Sequence, residues 1–301
     1  MESANENLGE GLPFAQPKLT ESAPVRLLQN ILKTRLTGVS LVVILIVIFS
    51  ALFAGVVAPY DPNLQDYTSF TKAPSLQHVL GTDDLGRDVL SRIIYGARVS
   101  LEVGVIAVGI ALVLGVSIGL AAGYWGGRLD DVLMRVMDAV QAFPALILAL
   151  AITAALGPGI SKVMIAIGVV GTPAFARLTR AQVLSVRERD YVIAAQALGA
   201  SSLRTILQHV WPNVTAPIIV QATLLVGGAI ITEASLSFLG VGVQPPTPSW
   251  GSMLQIGYQY MQIAPWLSIF PGIAIFLTVL AFNFLGDGLR VALDPRLAGR
   301  G

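Results

Sequence analysis

The sequence predicts an all-α, polytopic membrane protein with six transmembrane helices and both termini cytoplasmic. Of 301 residues, 54% are hydrophobic and only 12% charged, and the mean hydropathy is +0.72, too apolar for a chain that must solvate its whole surface. The apolar residues form continuous runs of about 17 to 25, enough to cross roughly 30 Å of hydrocarbon as helix, without the period-two alternation of a barrel. The Lys and Arg residues divide unevenly between alternate connections, which fixes the orientation.

Residues 1–36 are rich in Glu, Asn, Pro and Ser and read as a cytoplasmic, mostly disordered tail that ends in the basic stretch Arg26, Lys33, Arg35. A first transmembrane helix follows at 37–57; its apolar part is longer than the roughly 7 to 15 residues of a cleaved secretory signal. Residues 58–99 form an extracytoplasmic loop in which Gly81 and Gly86 mark turns. Within it, Val89, Leu90, Ile93 and Ile94 recur at helical spacing, so Asp88 to Arg98 is expected as an amphipathic helix lying on the outer surface. Asp83, Arg87 and Asp88 are its candidate outer-face contacts for a soluble partner.

Residues 100–286 hold a core of five further spans, near Ser100 to Gly123, Val132 to Leu156, Ile160 to Ala176, Thr215 to Gly240 and Pro265 to Leu285. Residues 287–301 form a cytoplasmic C-terminal tail. With this threading the inner side collects Arg128, Arg135, Arg177, Arg180, Arg187, Arg189, Arg204, Arg290 and the basic residues of both tails. The outer side keeps only Lys72, Arg87, Arg92, Arg98 and Lys162.

Several chemistries are excluded. There is no cysteine and only His78 and His209, too few for a metal site built on thiolate or imidazole. Gly115-Val-Ser-Ile-Gly119 has the spelling of a nucleophile elbow but sits inside a span; Gly115, Gly119 and Gly123 instead make a flat face for a neighbouring helix. Asn213-Val-Thr215 matches a glycosylation acceptor on the wrong side of the membrane. No phosphate-cradling G-x-x-x-x-G-K-[ST] and no H-E-x-x-H occur, so the chain is not expected to be an enzyme or to bind a cofactor. A net charge of +1 argues against a nucleic-acid partner.

Ionisable residues inside spans carry a functional expectation because they are costly there. Glu233 is the deepest, with a helix-packing and a pathway-lining role both open, and Gln221 and Asn283 are weaker candidates. Asp138, nearer the inner end of its span, is expected to pair with Arg135 one turn earlier.

Residues 187–213 are neither a span nor a short loop. Tyr191, Ala194, Ala195 and Leu198 lie on one side of a helix that Gly199 ends, and Ser201 or Ser202 can cap a second helix that Pro212 stops or kinks. Such a helix-turn-helix, with a small-residue face ringed by Arg180, Arg187, Arg189 and Arg204, suits docking to another protein or to an anionic lipid surface.

Ala194-Ala195-x3-Gly199-x12-Pro212 resembles the cytoplasmic E-A-A-x3-G-x9-I-x-L-P loop of permease subunits of ATP-binding-cassette importers. GTDDLGRDVLSRIIYGARVSL, AGYWGGRLDDVLMRVMD, TEASLSFLGVGVQPPTPSWG and FLGDGLRVALDPR together resemble the C-type permease of the dipeptide, oligopeptide and nickel branch, from Thr37 onward. The resemblance implies an ATPase-coupling loop carried by Asp190, Ala194, Ala195, Gly199 and Pro212. It also implies a second homologous permease, two ATPase subunits that bind ATP and Mg, an extracytoplasmic binding protein, and a place in a bacterial or archaeal cytoplasmic membrane. This sequence departs from the family pattern at Ile193, where an acid is usual, and at His209 and Trp211. Peptides lead as the expected substrate; nickel, glutathione or another small solute, and a stand-alone ion-coupled transporter using Glu233, are the alternatives.

Overall fold

The computed structural model describes residues 35–293; the tail expected at 1–36 and the C-terminal residues after Leu293 lie almost wholly outside them. The described residues are helical throughout, apart from loops and one isolated antiparallel bridge between Thr82 and Asp88. The helices are α1 (Arg35–Leu52), α2 (Ala54–Val57), α3 (Val89–Trp125), α4 (Gly127–Gln141), α5 (Ala145–Leu156) and α6 (Ile160–Arg187). There follow α7 (Asp190–Ala197), α8 (Ser202–Thr205), a π-helical turn (Ile206–Val210), α9 (Trp211–Phe238), α10 (Trp250–Gln259) and α11 (Trp266–Leu293). Five helices are long and apolar enough to cross a membrane, and a sixth crossing exists if the bent pair α4–α5 counts as one.

Four expectations change. The surface helix expected over Asp88 to Arg98 is instead the first three turns of α3, which runs unbroken for 37 residues, about 55 Å. Its apolar spacing was read correctly, but Val89 and Ile94 pack into the protein rather than onto the membrane surface. The span expected over Val132 to Leu156 is broken: α4 and α5 meet at 91° beside Pro144, whose ring has no N–H to continue the ladder. Asp138 is exposed on α4 and pairs with Arg177 of α6 at 2.6 Å, not with Arg135. Finally, Pro212 does not end a helix. The wider π turn before it absorbs the missing donor, and α8 runs through into α9.

The central seam is α3 against α6, the most extensive pairing in the protein. A Cβ added at Gly115 would lie 2.5 Å from Phe175 Cβ, one at Gly119 2.5 Å from the Ala176 carbonyl, and one at Gly123 2.8 Å from Val183 Cβ. Glycine at four-residue spacing thus lets the two backbones meet, as small residues do between spans. The register rises together along both helices, so α3 and α6 run parallel. The connection through α4 and α5 must therefore return the chain from the end of one to the start of the other.

α9 packs antiparallel to α3, with Gly104 beside Val226 and Ile230, and α11 lies between α9 and α1. Thr37, near the start of α1, is buried against Gly288, near the end of α11. At the other end of α1, Arg98 Nε donates to the Ala51 carbonyl at 3.0 Å.

Candidate functional site

The segment 187–213 projects from the ends of α6 and α9. α7 closes with the Ala200 N–H donating to the Ala195 carbonyl and Gly199 N–H to Gln196, the paired bonds of a left-handed helix end; Gly199 has φ +84°. A side chain there would sit in a backbone conformation that only glycine adopts freely, yet a Cβ would meet nothing within 4 Å. Glycine is required by the turn and not by packing within this chain. Ser201 then caps α8 by accepting from the Arg204 N–H.

One face of this helix pair is sealed, with Val192, Thr205 and Val210 fully buried. Around it Tyr191, Ile193, Leu198, Leu203 and Leu207 are exposed apolar side chains, with Leu198 at the end of α7 89% exposed. Ala194, Gly199 and Pro212 are also exposed, and Asp190 opens α7 in its first turn; Ala195 is half-buried. Ile193, standing where the resembling family has an acid, is one of these exposed apolar side chains.

Ion pairs and hydrogen bonds tie the segment to the helix ends beside it. Arg187 Nη1 donates to the Gly123 carbonyl at 2.8 Å and Gln196 Nε2 to Tyr124 Oη at 3.3 Å, joining α6 and α7 to the end of α3. Arg180 makes a bidentate pair with Asp130 of α4, both bonds 2.6 Å, and Arg177 reaches Asp138 two turns on. Sequence reading missed these ties. The signal was there in two acids eight residues apart on α4 facing Arg177 and Arg180 of α6, but only the bend at Pro144 brings the two helices alongside.

The polar residues expected in the pathway are not gathered into one site. Glu233 is completely buried, with Ser237 Oγ donating to it at 2.7 Å and Ser100 Oγ at 3.4 Å, which links α9 to α3. Ser237 Oγ also accepts the Val243 N–H, anchoring the chain beyond α9. Gln221 is half-buried twelve residues earlier on the same helix, about 18 Å away. Asn283 is exposed on α11, in an apolar groove of about 460 Å³ formed with Ile231, Leu254, Phe276 and Val279.

The outer contacts expected at Asp83, Arg87 and Asp88 are buried, at 4%, 5% and 2% exposure, and most of their polar atoms bind the loop together. Arg87 Nε donates to Asp83 Oδ2 at 2.7 Å, and Asp88 caps α3 at the Ser91 N–H while holding His78 Nδ1 at 2.9 Å. Gly86, at φ +70°, lies against the Asp66 carbonyl with no room for a side chain. Asp66 accepts from Ser69 and Thr68, and these bonds lower its pKa from 3.8 to about 2.

Comparison with known proteins adds to this geometry. Residues 115–299 match the family model described as a binding-protein-dependent transport system inner membrane component. Residues 26–74 match the N-terminal transmembrane domain of oligopeptide transport permease C. The chain is 45% identical to the dipeptide transport system permease protein DppC of Alkalihalophilus pseudofirmus, over 95% of this chain and 94% of the relative. It is 46% identical to the di/tripeptide transport system permease protein DppC of Pseudomonas aeruginosa, over 97% and 98%. It is 48% identical to the glutathione transport system permease protein GsiD of Escherichia coli, over 88% and 87%. With the glycine seam Gly115, Gly119 and Gly123 and the whole of α6 inside the matched region, and with near-full-length relatives at this identity, the chain belongs to the inner membrane components of binding-protein-dependent transport systems.

Proposed function

We propose that this permease subunit passes di- or oligopeptides across a bacterial or archaeal cytoplasmic membrane, driven by ATP hydrolysis in partner subunits that hold the nucleotide and Mg. A second homologous permease supplies the other wall of the pathway, and an extracytoplasmic binding protein delivers the substrate. Both termini and the segment 187–213 lie in the cytoplasm. The contact of Thr37 with Gly288 supports placing the two ends on one side, and the clustering of Arg177, Arg180, Arg187, Arg189 and Arg204 supports calling that side the inner one.

The observation that carries the reading is the apolar face of α7 and α8. Leu198 at 89% exposure lies in a segment that also exposes Tyr191, Ile193, Leu203 and Leu207 and that carries Arg187, Arg189 and Arg204, charges suited to the aqueous side of a membrane. An exposed apolar patch of this kind marks a protein contact. The partner is the ATPase subunit, and Asp190, Ala194, Ala195, Gly199 and Pro212 shape the docked element. Because Arg187 and Gln196 fasten it to α3 and Arg180 ties the adjoining α6 to α4, a push on α7 moves those helices as a body, which is how ATP-driven closure changes the side to which the pathway opens.

Peptide is the substrate class because the two dipeptide relatives cover nearly the whole chain. Glutathione, itself a tripeptide, is the second reading that a relative favours. Glu233 gives no support to a stand-alone ion-coupled transporter, since it is sealed among serines. The test is uptake of labelled dialanine and labelled glutathione by the assembled transporter in proteoliposomes with its binding protein. ATP-dependent accumulation of dialanine is expected. Uptake without ATP, or of glutathione and not of dipeptide, overturns the corresponding part.

A further inference from the structure

At the outer end lies a recess of about 290 Å³, between the turn that precedes α3 and the chain joining α9 to α10. Its wall carries Arg87, Arg92, Gln244, Thr247, Ser252 and Gln255: two guanidinium groups, four neutral polar side chains and no carboxylate. Both arginines are buried, at 5% and 3% exposure, so neither is an ordinary solvated surface charge.

Their counter-charges lie behind the wall and are shared. Asp83 Oδ2 receives Arg87 Nε at 2.7 Å and also faces Arg92 Nε at 3.3 Å, so one carboxylate oxygen serves two cations. Asp84 meets Arg87 Nη2 at 3.2 Å, and burial and the neighbouring Asp83 push its pKa up. Arg92 Nη1 donates to the Pro62 carbonyl at 3.0 Å. Arg87 Nη1 and Arg92 Nη2 make no hydrogen bond among the described residues. Neither is among the sealed polar atoms without a partner, so both keep accessible surface; both side chains line the recess, and Arg92 also borders a gap of only about 10 Å³ beside Asp83, too small for a solute. Burying guanidinium donors unmet is costly, and their planar geometry matches a carboxylate.

We propose that this recess binds the free carboxylate of the solute being transported, on the outer side, through Arg87 and Arg92. That the solute is a peptide rests on the function proposed above. The recess is about ten times the roughly 30 Å³ that one water occupies, room for a carboxylate together with the residue or two behind it. An acidic side chain from the docked binding protein would leave most of that volume empty, so the small solute is the occupant.

The test uses the assembled transporter, without its binding protein, in phosphatidylcholine nanodiscs, with binding read by saturation-transfer NMR. The probes are dialanine and dialanine amide, which differ only in the terminal carboxylate. Dialanine should bind at least about tenfold more tightly than the amide, the loss expected when one partner of a charged hydrogen-bonded pair is removed. Arg92→Gln removes a donor but also breaks a buried ion pair and can unfold the loop. Gln255→Glu keeps every ion pair and places a competing carboxylate on the wall; it should weaken dialanine binding by about tenfold and leave the amide unchanged.

Equal binding of the two probes, or unaltered dialanine binding by Gln255→Glu, overturns the proposal. In a separate co-sedimentation with the binding protein added, loss of its hold by Gln255→Glu while dialanine binding is unaltered also overturns the proposal and makes the recess a protein contact. Dipeptide uptake by the wild-type transporter in any of these cases leaves the proposed function standing. Carboxylate-dependent binding without dipeptide uptake leaves the recess standing and overturns the function.

Discussion

At the scale of single residues, Gly199 separates two reasons for needing glycine. The structure gives it a left-handed backbone and open space around its Cα, so strain and partner contact can be tested apart. Gly199→Asn supplies a residue that tolerates this conformation while adding bulk, whereas Gly199→Val adds both bulk and about 1–2 kcal/mol of backbone strain. If the turn fits a cleft on the ATPase, both variants insert normally and both lose most ATP-driven uptake. Retained uptake in Gly199→Asn means that only the turn geometry matters. Glu233 is the second informative residue. Glu233→Gln preserves an acceptor for Ser237 and should keep stability and uptake, while Glu233→Ala leaves buried hydroxyls unmet and should cost about 1–3 kcal/mol, read as a lower unfolding midpoint in detergent.

At the scale of helices, the α3–α6 seam is where spacing in the sequence translated most directly into packing. Gly119→Val would drive a branched side chain into the Ala176 carbonyl and should destabilise the protein by about 1–3 kcal/mol or prevent its assembly. Gly109 on the same helix has nothing within 4 Å of its added Cβ, and Gly109→Ala should leave the unfolding midpoint unchanged or slightly raised. Thermal unfolding of the two variants side by side checks this. Long apolar runs and glycine repeats were legible because they record one helix and its nearest face. The break between α4 and α5 was not, because proline is tolerated inside spans as well as at their ends: Pro173, Pro217 and Pro271 all lie within helices here. The same limit applies to α3. An apolar stripe at helical spacing does not say whether it faces lipid headgroups or protein, and only Trp250 Nε1 donating to the Ile93 carbonyl shows that protein covers it.

At the scale of the whole molecule, the polar residues sort by what surrounds them and not by depth. Arg87, Arg92, Asp83, Asp88 and Glu233 are all buried in tertiary ties, while exposed apolar residues line the spans, as Val42, Val105 and Phe276 do, and recur on the segment 187–213. Sequence reading located that segment through the small residues and Gly199, but it weighted Ala194 and Ala195 over the larger Leu198 and Ile193, which present more of the surface. In this account the loss of an acid at Ile193 extends an apolar dock. The proposed coupling requires this surface to meet the ATPase on the inner side. Because the chain has no cysteine, a single Leu198→Cys change gives one addressable thiol. Thiol-directed cross-linking in the assembled transporter, with Leu76→Cys at the fully exposed outer loop as the comparison, tests the claim most directly. The account predicts a cross-link from position 198 to an ATPase subunit, changed by ATP, and none from position 76; no ATPase cross-link from 198 in a transport-active complex, or one from 76, would contradict it.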